Sequence, residues 1–176
     1  KNAAIALRSI RHEKAVDPLI HALEEDENEE VRKHAAIALE ILGHEKALDP
    51  LIHALEEDKN WEVRKYAAIA LGSLGQAKAG DPLISALENP NENEEVRRSV
   101  AIALGDIGQE KAVGPLTLAL QSEDEILRRN AINALKKIEN VESLILALQN
   151  QDVTVRRVAV FALIDIDDED GLRALI

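Results

Sequence analysis

The sequence predicts an all-α solenoid of about five to six stacked helix pairs, and three observations predict it. The segments VRKHAAIAL (31–39), VRKYAAIAL (63–71), VRRSVAIAL (96–104), LRRNAINAL (127–135) and VRRVAVFAL (155–163) are one element written five times, about 32 residues apart and 28 at the last step. Within that element Val31, Ala35, Ala38, Leu39 and Leu42 recur at the spacing of one apolar stripe on a 3.6-residue helix. Three residues before each copy's first apolar position stands Asn28, Asn60, Asn93, Asp124 or Asp152, a side chain that accepts from the free amides of a helix start. Self-similarity at this period signals units that bury a core only by stacking on their neighbours.

Each unit opens on a shorter element. HEKAVDPLIHALEED (12–26) returns as HEKALDPLIHALEED (44–58) with one change. Asp17-Pro18, Asp49-Pro50 and Asp81-Pro82 mark its start, where Asp can cap and Pro needs no amide donor in a first turn. The preceding EKA adds a short irregular turn. Gly43, Gly75 and Gly108 close the second helix, where a left-handed residue is wanted. The predicted single domain, 1–176, divides into units at 12–43, 44–75, 76–108, 109–139 and 140–166, with partial units at 1–11 and 167–176. Ala3, Ala6, Leu7 and Ile10 at one end, and Leu172, Leu175 and Ile176 at the other, are apolar where a terminal unit needs a polar outer face. The expectation is a fragment of a longer array, or ends that meet other chains.

The 176 residues are 46% apolar and carry a formal net charge of −12 with no cysteine. The apolar runs are too short for a membrane span or a secretory leader. Disulfides and thiolate metal sites are excluded, which fits a cytoplasmic location. The acidic balance argues against nucleic acid, whose binding depends on cationic surface. There is no glycine-rich phosphate loop and no nucleophile elbow. The expectation is no enzyme, no cofactor and no metal.

The alternation of AV.PLI.AL with (N/D)..VR..AA.AL..(L/I)G resembles the short HEAT repeats named after phycobilisome lyases, over nearly the whole chain. The signatures of ankyrin and tetratricopeptide units do not appear. The resemblance implies a right-handed α-α superhelix with the second helices lining its concave surface. It also implies a ladder of Asp and Arg six residues apart, matched by Asp26/Arg32 and Asp58/Arg64. The Asp column decays to Asn91, Ser122 and Asn150 while Arg97, Arg128 and Arg156 persist, so the ladder is expected to be incomplete toward the C-terminus, with the arginines turning to other carboxylates or helix-end carbonyls. The His-Glu pairs at 12–13 and 44–45 fall on corners filled by Gln76-Ala77 and Gln109-Glu110 in sister units. They are not at the position after VR where HEAT-fold deoxyhypusine hydroxylases hold iron, so they read as structural corners. His21 and His53 read as solvated.

The second helices carry a column that ought to be polar but reads Ile5, Ile37, Ile69, Ile102, Asn133 and Phe161. Beside it runs a cation in every copy: Lys1, Lys33, Lys65, Arg98, Arg129 and Arg157. Trp61 and Tyr66 occupy slots that are polar in sister units, which makes Trp61, Lys65, Tyr66 and Ile69 the expected anchor cluster. The expected function is a scaffold or adaptor that binds a protein or peptide, acidic or amphipathic, through this concave groove. No nucleic acid or membrane is expected as partner. The alternative, and the one reading under which enzymatic activity stays open, is a phycobilin lyase subunit or bilin chaperone, since an apolar column beside a cationic one suits a flat tetrapyrrole with two propionates. An engineered repeat protein is a third reading, opposed by uneven loop lengths.

Overall fold

The computed structural model describes the backbone of residues 2–166 and the side chains of residues 13–166. The column members Lys1 and Ile5, the apolar residues Ala3, Ala6, Leu7 and Ile10, the His12 side chain, and Leu172, Leu175 and Ile176 lie outside the described side chains. Within those bounds stand ten α-helices and no strand: α1 (Asn2–Glu25), α2 (Glu29–Leu42), α3 (Leu48–Glu57), α4 (Trp61–Leu74), α5 (Gly80–Glu88), α6 (Glu94–Ile107), α7 (Val113–Ala119), α8 (Glu125–Lys137), α9 (Val141–Ala147) and α10 (Val153–Ile166). Odd-numbered helices pack on odd and even on even, and each even helix packs on the odd helix before it. Two layers result, wound as a right-handed helix-pair solenoid with the core between them. The core is Leu and Ala almost throughout, from Leu39, Leu51 and Leu71 to Leu135, Leu144 and Leu163. No helix among the described residues is long and apolar enough to cross a membrane.

The even helices begin as their cap residues dictate. Asn28, Asn60, Asn93 and Asp124 accept from the amides of Glu30, Glu62, Glu95 and Ile126, and Asp152 accepts from Thr154 at 2.7 Å. They end on Gly43, Gly75 and Gly108 at φ of 60°, 64° and 72°, each amide turning back to the carbonyl four residues earlier. In the next unit Glu139 takes the same left-handed place at φ 59°.

Two local expectations are corrected. Asp49 and Asp81 do not cap, because a 3-10 turn precedes each helix and opens on His44 or Gln76, with His44 Nδ1 accepting from the Lys46 amide at 3.2 Å, and Asp17 lies within the continuous α1. The aspartates instead receive a lysine from the following unit: Lys46 reaches Asp17 at 3.5 Å, Lys78 reaches Asp49 at 2.6 Å and Lys111 reaches Asp81 at 2.6 Å. Nor does the chain turn at His12-Glu13, where α1 runs on through Pro18. Arg11 stands there in place of the glycine that lets the backbone go left-handed in later units, so nothing local stops the helix.

Two further glycines set how closely the even layer packs. A Cβ on Gly72 would come within 2.8 Å of the Ala103 Cα, and one on Gly105 within 2.7 Å of the Ala134 Cα. Helices α4, α6 and α8 are therefore in backbone-to-backbone contact along one edge.

Candidate binding face of the second helices

An arginine near the start of each of α2, α4, α6 and α8 ties its unit to the next. Arg32 Nη1 donates to the Asp26 carbonyl at 2.8 Å, while Nε and Nη2 donate to the Asp58 carboxylate at 2.6 and 3.1 Å. Asp26 and Arg32 thus meet through backbone, and the charge pair spans two units. Arg64 repeats the pattern on the Asp58 carbonyl at 2.7 Å and on Glu92 at 2.6 Å. At the third step Arg97 turns to the Leu87 carbonyl at 3.1 Å, and its neighbour Arg98 takes Asp124 at 2.6 and 3.0 Å. At the fourth, Arg128 holds the Ser122 carbonyl at 2.7 Å and pairs with Asp152. Arg156 caps the Asn150 carbonyl at 2.7 Å.

As the Asp column decays, the arginines turn to other carboxylates and to loop and helix-end carbonyls, in line with the sequence. The paired carboxylate moves from two residues before the cap at Asp58 to one before it at Glu92, and then onto the cap itself at Asp124 and Asp152. Burial works against ionisation of Asp124, but Arg98 and the amides of Leu127 and Ile126 hold its carboxyl below the usual range. Asp152 is held low by the Thr154 amide and by Arg128.

The cationic column is not uniform. Lys33 donates to Glu30 at 2.6 Å and to Glu62 of the next unit at 3.4 Å. Lys65 donates to Glu95 at 3.2 Å, and Arg98 is taken up by Glu94, Glu95 and Asp124. Arg129 and Arg157 are exposed and form no ion pair among the described residues.

The anchor cluster is engaged within the protein. Lys65 Nζ lies 5.8 Å from the Trp61 ring centre and 5.9 Å from that of Tyr66, within cation–π range of both. Trp61 is 37% exposed, whereas Tyr66 is half-buried and packs against the core. The apolar column opens toward the C-terminus: Ile37 and Ile69 are half-buried, Ile102 is 46% exposed, Asn133 is exposed and Phe161 is 59% exposed. A cleft of about 480 Å³ lies on this face, lined by Ile102, Asn130, Asn133, Ala134, Lys136, Lys137 and Glu139. No group of three or more His, Asp or Glu among the described residues is placed to hold a metal ion. His21 and His53 are exposed on the first helices.

A phycocyanin lyase structure from Nostoc sp. PCC7120, the complex of CpcE and CpcF, is similar to this chain at 28% identity and TM-score 0.66, covering 96% of this chain and 70% of that one. Human deoxyhypusine hydroxylase in complex with glycerol is similar at 22% identity and TM-score 0.63, over 97% and 69%. A designed armadillo repeat protein in complex with the peptide (KR)4 follows at 23% and 0.66, over 88% and 82%. The last two likenesses are of fold alone. No protein with a curated description matches the chain.

The first likeness corrects one expectation. The lack of a phosphate loop and a nucleophile elbow does not make the chain non-enzymatic, because the similar complex is a lyase. The match to the HEAT repeats family covers residues 1–72 and 48–136, more than half of the chain. With the stacked pairs, the capping arginines and the carboxylate ladder in place, this chain belongs to the HEAT-repeat family.

Proposed function

We propose that the chain is a HEAT-repeat interaction subunit of a phycobilin-lyase type of assembly, engaging its partner along the face of the even helices. The observation that carries this reading is the likeness to the CpcE–CpcF complex over 96% of the chain. The face supports it physically. Ile102 and Phe161 stand open where Ile37 and Ile69 are half-buried, and the cleft beside Ile102 falls within the roughly 300–1,000 Å³ of small-ligand sites. A linear tetrapyrrole would lay its apolar rings on that column. Its propionates would find the exposed guanidinium groups of Arg129 and Arg157.

The test is titration of phycocyanobilin, alone and together with apo-phycocyanin, followed by visible absorbance and by size-exclusion chromatography. A saturable spectral change or a stable complex is expected. If the bilin spectrum stays unperturbed in both settings and no complex elutes, the lyase-type reading fails.

A further inference from the structure

The two halves of the even-helix face differ in charge, and the sequence explains why. In the N-terminal half the position two after each cap is acidic, Glu30, Glu62 and Glu95, and these carboxylates take up Lys33 and Lys65. In the C-terminal half the same position is Ile126 and then Thr154, so the acid that would face Arg129 across the layer is missing. The position one after the cap reads Glu29, Trp61, Glu94 and Glu125 and then, in the last described unit, Val153, which is 66% exposed. Glu125 lies one turn before Arg129, yet the two form no ion pair. Lys136 and Lys137, further along α8, are paired with Asp165 and Asp106. Arg128 and Arg156 cap carbonyls.

The result on a chain of net charge −12 is a patch with two exposed cations, Arg129 and Arg157, set among the exposed apolar side chains Ile126, Val153 and Phe161. Helices α8 and α10 are neighbours, so the two arginines sit at the same register on adjacent helices, which pack about 8–10 Å apart.

We propose that this C-terminal half of the even-helix face docks an acidic, amphipathic segment of a partner protein. Carboxylates on the segment would meet Arg129 and Arg157, while its apolar side chains would cover Val153, Ile126 and Phe161. A basic segment would be repelled from the arginines and would leave the apolar patch uncovered. The proposal deepens the interaction reading above by naming the partner's chemistry, and it does not depend on bilin binding.

The test is fluorescence anisotropy on the whole chain with a fluorescein-labelled peptide of four Glu-Leu repeats. Saturable binding is expected, weakening as salt rises. Joint reversal of Arg129→Glu and Arg157→Glu should weaken it by at least about tenfold, and replacing both by Lys should retain most of it. Lys33→Glu, in the neutralised half, should leave affinity within about twofold, since its region lies outside the patch. A peptide of Lys-Leu repeats should not bind. Phe161→Ala provides an independent arm should the double reversal disturb folding, and about a fivefold loss is expected of it. Absence of saturable binding overturns the proposal, as does binding indifferent to the arginine reversal or to Phe161→Ala. A positive peptide result beside a negative bilin titration would retain the docking surface and remove the lyase.

Discussion

Glu139 has the one left-handed backbone among the described non-glycine residues, at the place its sister units give to Gly43, Gly75 and Gly108. A β-carbon there crowds the following carbonyl at a cost of roughly 1–2 kcal/mol. Glu139→Gly should therefore stabilise the protein by about 1 kcal/mol, read as a higher midpoint in urea denaturation. An unchanged or lower midpoint would mean that the Glu139 side chain contributes more than its backbone strain removes. Tyr66 teaches the opposite lesson about single positions. Its sister slots hold His34, Ser99 and Asn130, which suggests exposure, yet the ring packs against the core. Polar residues in sister copies mark a slot as tolerant of polarity, and Ser99 is itself buried with its hydroxyl bonded to the Glu95 carbonyl at 2.9 Å.

Among elements, the even layer is set by small residues at two contacts. Gly72→Ala and Gly105→Ala would each force a methyl against backbone of the neighbouring helix, which should destabilise by about 1–3 kcal/mol. Gly114→Ala, where the space is open within α7, should instead stabilise by roughly 0.5–1 kcal/mol. Thermal melts of the three variants check this, and a neutral Gly105→Ala would mean that α6 and α8 part without penalty. The starts of the even helices and their glycine stops were legible in the sequence because capping is local, settled by a side chain and amides two or three residues away, whereas the starts of the odd helices were not. The close approach of Gly72 to Ala103 was not, since it depends on which column of one unit faces which column of the next. The same blindness hid the neutralised half of the cationic column: Lys65 reads as free until Glu95, thirty residues on, is seen to face it. It also hid which carboxylates the arginines turn to, because Asp124 and Asp152 read fully as helix caps.

For the whole molecule, the ladder makes cohesion between units sensitive to acid. Asp124 and Asp152 both titrate below the ordinary carboxylate range in the folded chain. A depressed folded value means that their contribution is present above the unfolded value of about 3.9 and is lost as pH falls through the folded values. The melting temperature should hold near neutrality and drop below about pH 4. The double variant Asp124→Asn, Asp152→Asn should start lower at pH 7 and fall less across the acid range. Parallel curves for the variant and the parent would show that these pairs do not couple the units.

That moving carboxylate also decides what recombination can do with such a chain. A unit ending in Arg32 or Arg64 reaches for an acid before the cap, whereas one presenting Arg98 or Arg128 reaches for an acid on the cap itself. Copies that began as interchangeable have become keyed to their places. Unequal crossing-over can lengthen the array where two neighbours still share a key, as 12–43 and 44–75 do. Doubling 76–108 would instead set Arg98 opposite Asn93, an amide where the arginine now holds a carboxylate, and the contact between those helices would have to be rebuilt.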